Sequence, residues 1–185
     1  MGIIKKVLIL VIFFSLTLLP TIVLAEEPSP ITSEASQSSS TVDSYDLFWP
    51  VFAGKTMDES MYPLKLVKES IGEFFAFGDL NKTKYNTTLS EKRLLEAEKL
   101  IKNKSYKNLK ATLDSSQEKR QKALSFFQKA KDNNRHLDQL KETMANSLNN
   151  QLKLLFALKL QVSSDNQSLL DSSINQVKDF LSKFQ

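Results

Sequence analysis

An all-α fold is predicted by three features of this chain. Apolar residues recur at three- and four-residue spacing in five successive segments between residues 63 and 184. No segment alternates apolar and polar residues as a half-buried strand would. Only four of the 185 residues are Gly and five are Pro, so little interrupts the periodic segments. The expected architecture is an antiparallel bundle of four to five helices preceded by an irregular aromatic arm. An extended helical hairpin or coiled coil is the alternative topology, because the stripe Phe127, Ala130, Leu137, Met144 keeps a near-heptad step across Asn133-Asn134.

The N-terminus reads as an address. Lys5 and Lys6 precede an apolar run from Val7 to Leu19, and Val23 and Ala25 stand where a signal peptidase takes small residues. Residues 1–25 are therefore expected to be a signal peptide, cut after Ala25. The rival reading is an uncleaved anchor, since Val7 to Ala25 approaches the roughly 20 residues that cross a bilayer; Pro20 and the cleavage-like end oppose it. Either way the basic flank sends the remainder outside the cytoplasmic membrane, secreted or bound to the envelope. Membrane contact is expected only through this segment, if it is uncleaved. No Cys occurs anywhere, so neither a lipid-anchoring thiol nor a disulfide framework is available and the fold rests on core burial. Residues 26–44, rich in Ser, Thr, Pro and Glu, have little to bury and are expected to be a disordered linker.

A single all-helical domain is expected over residues 45–185. Its first stretch, Tyr45 to Gly54, is dense in large apolar side chains but broken by Pro50 and Gly54. It reads as an arm laying Phe48, Trp49 and Phe52 on the core, or as an aromatic patch for a partner. Pro63 suits a helix start, with Leu64, Val67, Ile71, Phe74 and Phe75 as its core-facing stripe and Gly78 as its end. Asp79 is the expected cap of a second helix to about Lys102, burying Leu80, Leu89, Leu94, Ala97, Leu100 and Ile101. Ser105 is the expected cap of a third, carrying Leu109, Leu113, Leu124, Phe127 and Ala130. The fourth has the longest stripe, Leu137 through Leu148 and Leu155 to Val162. Ser163 to Asp165 then supplies a turn before a last helix with Leu170, Ile174, Val177, Leu181 and Phe184 on one face.

Three motifs, Tyr45-Asp-Leu-Phe-Trp-Pro-x-x-Ala-Gly-Lys-Thr, Tyr62-Pro-Leu-Lys and Glu91-Lys-Arg-Leu-x-Glu-Ala-Glu, resemble an uncharacterised family of exported bacterial helical proteins, the domain of unknown function five-six-six-seven. The resemblance spans most of residues 45–185 and is strongest before residue 103. It implies location and fold, with no catalytic motif. The chain departs from the pattern in its Asn- and Ser-rich stretches at 81–88 and 163–173.

Composition excludes some function classes. The formal charge of +4 drops by two once Lys5 and Lys6 leave with the signal, and acids are interleaved with the remaining bases, so no nucleic-acid partner is expected. His136 and Asp132 sit four residues apart, short of the three or four ligands zinc requires; no metal and no cofactor are expected. Gly54-Lys55-Thr56 mimics the end of a phosphate loop, but Trp49 stands where its first glycine belongs. Glu69 with Glu73, and Asp114 with Glu118, are carboxylate pairs at helical spacing, as exposed helix faces routinely carry. Asn81, Asn86, Asn103 and Asn166 match the glycosylation pattern, relevant only in a eukaryotic secretory pathway. The densest charge cluster, around Glu91, Arg93 and Glu96, reads as a solvated, salt-bridged face or as a surface that recognises a partner. The functional expectation is a non-enzymatic protein-interaction module outside the cytoplasm, docking through Phe48, Trp49, Phe52, Glu91, Arg93 or Glu96 onto another extracytoplasmic protein. The alternative is a self-assembling structural coiled-coil element of the cell envelope.

Overall fold

The computed structural model describes residues 42–132 and 137–184. The expected signal peptide, the linker as far as residue 41, the Asn133-Asn134 break and His136 lie outside the described residues. Among the described residues six helices form: α1 Ser44–Phe48, α2 Tyr62–Phe75, α3 Asp79–Lys102, α4 Leu109–Asp132, α5 Asp138–Lys159 and α6 Ser164–Ser182. Among the described residues there is no strand, and no helix is long and apolar enough to cross a membrane.

Helices α3 to α6 pack as a bundle in which α3 meets α4 and α5, and α6 meets the same two. The sense of each pairing follows from side chains in contact. Lys82 lies over the Phe126 ring while Ser116 donates to the Ser90 carbonyl, so α3 and α4 run antiparallel. Lys159 pairs with Asp171 and Lys178 covers Phe156, which makes α5 and α6 antiparallel too. Arg120 of α4 donates to Gln151 of α5, 31 positions away. In one continuous helix those residues would be about 46 Å apart, so the chain reverses between α4 and α5 and the coiled-coil topology gives way to the bundle.

The stripes expected on the last four helices are the core. Leu89, Leu94, Ala97, Leu100, Ile101, Leu109, Leu113, Phe127, Ala130, Leu140, Met144, Leu148, Leu155, Leu158, Val162, Leu170, Ile174, Val177 and Phe184 are buried. Leu80, Leu124, Leu137, Leu152 and Leu181 pack against them from the edge.

The helix ends differ in detail from expectation. Gly78, at φ +79°, is the N-cap of α3, and Asp79 is its first residue, placed to favour the dipole rather than to cap. Ser105 caps nothing. Its N–H donates to the Leu100 carbonyl and that of Lys104 to Ile101, closing α3 in a Schellman turn with Lys104 left-handed at φ 56°. The Ser105 hydroxyl is spent on Asp58, and α4 starts four residues later. The arm is not irregular throughout: Asp43 accepts from the Tyr45 N–H at 2.8 Å and starts α1, so order begins before residue 45.

Candidate functional site

Helix α2 forms where it was expected, with Pro63 in its first turn, but its orientation is reversed. The stripe Leu64, Val67, Ile71, Phe74 and Phe75 faces solvent, each residue between 53% and 73% exposed, and Met61 and Phe77 extend it at both ends. The residues buried on this helix are Tyr62 and Glu69. Assigning the apolar stripe to the core was therefore wrong, and the reason lies in what the bundle offers α2. The α3 surface beneath it carries Arg93 and Glu96, groups that need charged partners, and the polar face of α2 supplies them.

Four side chains make that junction. Arg93 Nη2 pairs with Glu69 Oε2, and Arg93 Nη1 with Glu96 Oε1 at 2.5 Å. Lys65 reaches the same Glu96 oxygen, and its ammonium also donates to the Ala53 and Lys55 carbonyls at 2.6 and 2.8 Å. Arg93 is 1% exposed and Glu96 fully buried. Both cations stack on Tyr62, with Arg93 at 5.8 Å and Lys65 at 5.6 Å from its centroid. Burial pushes the Glu96 carboxyl up, against the pull of Arg93 and Lys65, and pulls the Lys65 ammonium down against Glu96. Burial would also lower Arg93, but Glu69 and Glu96 more than compensate, and its guanidinium is held above the ordinary value. The Tyr62 phenol is pushed up to about 12 by burial and by Glu96. Further along, Gly72 lets the helix come close: a Cβ there would sit 2.2 Å from the Tyr85 hydroxyl, which donates to the Glu69 carbonyl.

The aromatic arm divides its residues. Phe48 is buried in the core, with Leu47, Val51 and Ala53 partly buried against that core, and Asn150 of α5 donates to the Leu47 carbonyl. Trp49 and Phe52 do not lie on the core. They are 60% and 58% exposed and cluster with Tyr45, with ring centroids 4.8 to 6.4 Å apart. Behind them the Gly54-Lys55-Thr56 loop is stapled down. Glu59 takes Lys55 at 2.8 Å and Lys99 at 2.7 Å, and its carboxyl is held far below the ordinary range by those cations and the Thr56 N–H. Asp58 is lowered in the same sense by the Thr56 hydroxyl.

The remaining candidates have structural partners. Arg93 and Glu96, expected on a solvated or partner-facing surface, are interior. Their sequence positions said as much: Leu89, Arg93, Glu96 and Leu100 follow one helical stripe, a signal overlooked because charge was read as exposure. Glu91 is half-buried and accepts from Ser147 at 2.5 Å. Glu98 and Lys102 pair at 2.8 Å as the spacing implies. Glu73 accepts from Asn86, Asp114 pairs with Lys110 and Glu118 with Lys122. No group of three metal-ligating side chains occurs among the described residues.

These features define a helical bundle with one amphipathic helix mounted apolar side out. The chain belongs to the family described as a domain of unknown function (DUF5667), whose model matches residues 54–150. That span opens at the loop, takes in α2, the ion-paired junction, α3 and α4, and ends within α5; the aromatic arm and α6 lie outside it. No curated protein and no solved structure matches the chain.

Proposed function

We propose that this protein is an exported, non-enzymatic interaction module that works outside the cytoplasmic membrane and holds another protein through the outer face of α2. The observation that carries this reading is the exposed stripe Leu64, Val67, Ile71, Phe74 and Phe75. Contiguous apolar surface of that kind on a soluble domain marks an interface. The N-terminal sequence, with Lys5, Lys6, the apolar run and Ala25, supports the location.

Charge favours a protein as the occupant. The acids of α2, Glu69 and Glu73, engage the bundle, and the outer face has one cation, Lys68, among its apolar residues. One lysine is far short of the four to eight basic residues that draw a helix to an anionic lipid surface. Self-pairing is disfavoured as well, because two α2 helices meeting antiparallel across a twofold axis would bring Lys68 against Lys68. An apolar groove with an acidic rim on a different protein satisfies both demands.

A photo-reactive residue at Val67, cross-linked in living cells and analysed by mass spectrometry, tests the proposal. One other protein is expected in near-equal amount, joined through an apolar segment, binding the purified chain again in vitro and lost on Ile71→Glu. Self-linked species alone would support the self-assembling alternative. Binding to lipid vesicles alone, or capture unaffected by Ile71→Glu, would equally overturn the reading.

A further inference from the structure

At the centre of the bundle, polar residues from three helices meet at one level. Gln151 Nε2 donates to the Ser90 and Ser147 hydroxyls at 3.0 and 3.1 Å, and Gln151 Oε1 accepts from Arg120 Nη1 at 3.0 Å. The Ser116 hydroxyl accepts from the same Nη1 at 2.8 Å and donates to the Ser90 carbonyl. Every hydrogen of the Gln151 amide and of the Ser116 and Ser147 hydroxyls is used. Arg120 is the exception. It is 3% exposed, and its Nε and Nη2 have no hydrogen-bond partner, which leaves three of its five N–H donors unpaired.

No ion pair with Arg120 occurs among the described residues. The acid at the end of its hydrogen-bond chain is Glu91, reached only through Gln151 and Ser147. Burial lowers the guanidinium to about 10, still charged at neutral pH. A buried, uncompensated charge costs several kcal/mol. Beside it lies a cavity with about 10 Å³ of room for a water-sized centre, bounded by Arg120, Gln151, Met144, Phe180 and Phe184, which is one small occupant's worth.

We propose that this cavity is a binding site for one monatomic anion, chloride in the first instance, held by the free Nε and Nη2 hydrogens of Arg120. A water molecule can accept from Nε–H and the Nη2–H parallel to it but carries no charge, so it leaves the guanidinium uncompensated. A halide is only a few tenths of an ångström larger, accepts from Nε–H and from the Nη2–H parallel to it, and neutralises the cation. Sulfate, phosphate and carboxylates are too large for the space. The site is independent of α2 and its partner.

Thermal unfolding of the full chain in sodium chloride and in sodium gluconate at matched ionic strength tests this directly. The midpoint is expected to climb with the logarithm of chloride concentration and not with gluconate, and Arg120→Met is expected to remove that dependence. Crystals of the unaltered protein grown in bromide are expected to show an anomalous peak within hydrogen-bonding distance of Arg120 Nη2. Equal midpoints in the two salts, a chloride dependence that survives Arg120→Met, or a bromide-soaked site without anomalous signal would each overturn the assignment. If Arg120→Met does not fold, the bromide crystals decide alone.

Discussion

The residue whose loss costs most at the α2 junction is Arg93. Its guanidinium is shared by Glu69 and Glu96, so Arg93→Ala strands the Glu69 carboxylate and leaves Glu96 with Lys65 alone. Breaking such a network from one side typically costs about 3–5 kcal/mol. Urea unfolding of Arg93→Ala is expected to show a loss of that size, part of which returns when Glu69→Gln and Glu96→Gln are added; no recovery in the combined variant would mean the charges are not the cause. Glu59 carries a pH dependence of definite sign. Its folded-state pKa lies well below the ordinary 4.5, so the stability it gives the 49–61 loop is complete above that value and drains away as pH falls through the depressed one. Glu91 and Glu96 are shifted upward by burial and so favour folding as they protonate, which spares the bundle. Trp49, the single Trp of the chain, begins that loop. Its fluorescence is expected to change as pH is taken below about 4 toward the depressed value while far-UV circular dichroism holds; emission that stays flat until the whole bundle unfolds would contradict the role given to Glu59.

At the scale of elements, periodicity located the helices and mis-aimed one of them. The 3.6-residue pattern reports that a helix has two faces, and the default assumption sends the apolar one inward. For α3 to α6 that default holds, because four apolar stripes can only hide against each other. For α2 it fails because Lys65, Glu69 and Glu73 have specific partners waiting on α3 and α4. Sequence alone shows both faces and not which one has a complement. Gly72 gives the reversed packing a test. In an exposed helix, Gly→Ala gains about 1 kcal/mol, whereas here the added methyl would drive into Tyr85 and break its bond to the Glu69 carbonyl. Gly72→Ala is expected to destabilise by about 1–3 kcal/mol in urea titration, and a stabilised variant would show that α2 does not sit against Tyr85.

For the whole molecule, the bundle was legible because apolar burial is non-directional and needs only the right residues at the right spacing. The candidate site was less so. Phe48, Trp49 and Phe52 were marked as a group, yet one turned in and two turned out, a division set by where α1 meets α5. The central polar level was written as Ser90, Ser116, Arg120, Ser147 and Gln151 at core positions of α3, α4 and α5, visible only once the three helices are brought to a common height.

Mounting α2 by its charges has a thermodynamic signature. Lifting it off the bundle would wet ionic groups and few apolar atoms, so the step would carry little heat-capacity change and little denaturant sensitivity. Urea and calorimetry, which weigh newly wetted hydrocarbon, would register the collapse of α3 to α6 and pass over the release of α2. Amide hydrogen exchange, which counts openings whatever they expose, would register it, with faster exchange along residues 62–75 than along the bundle helices. The helix mounted apolar side out is thus the part of this protein that conventional stability curves see least.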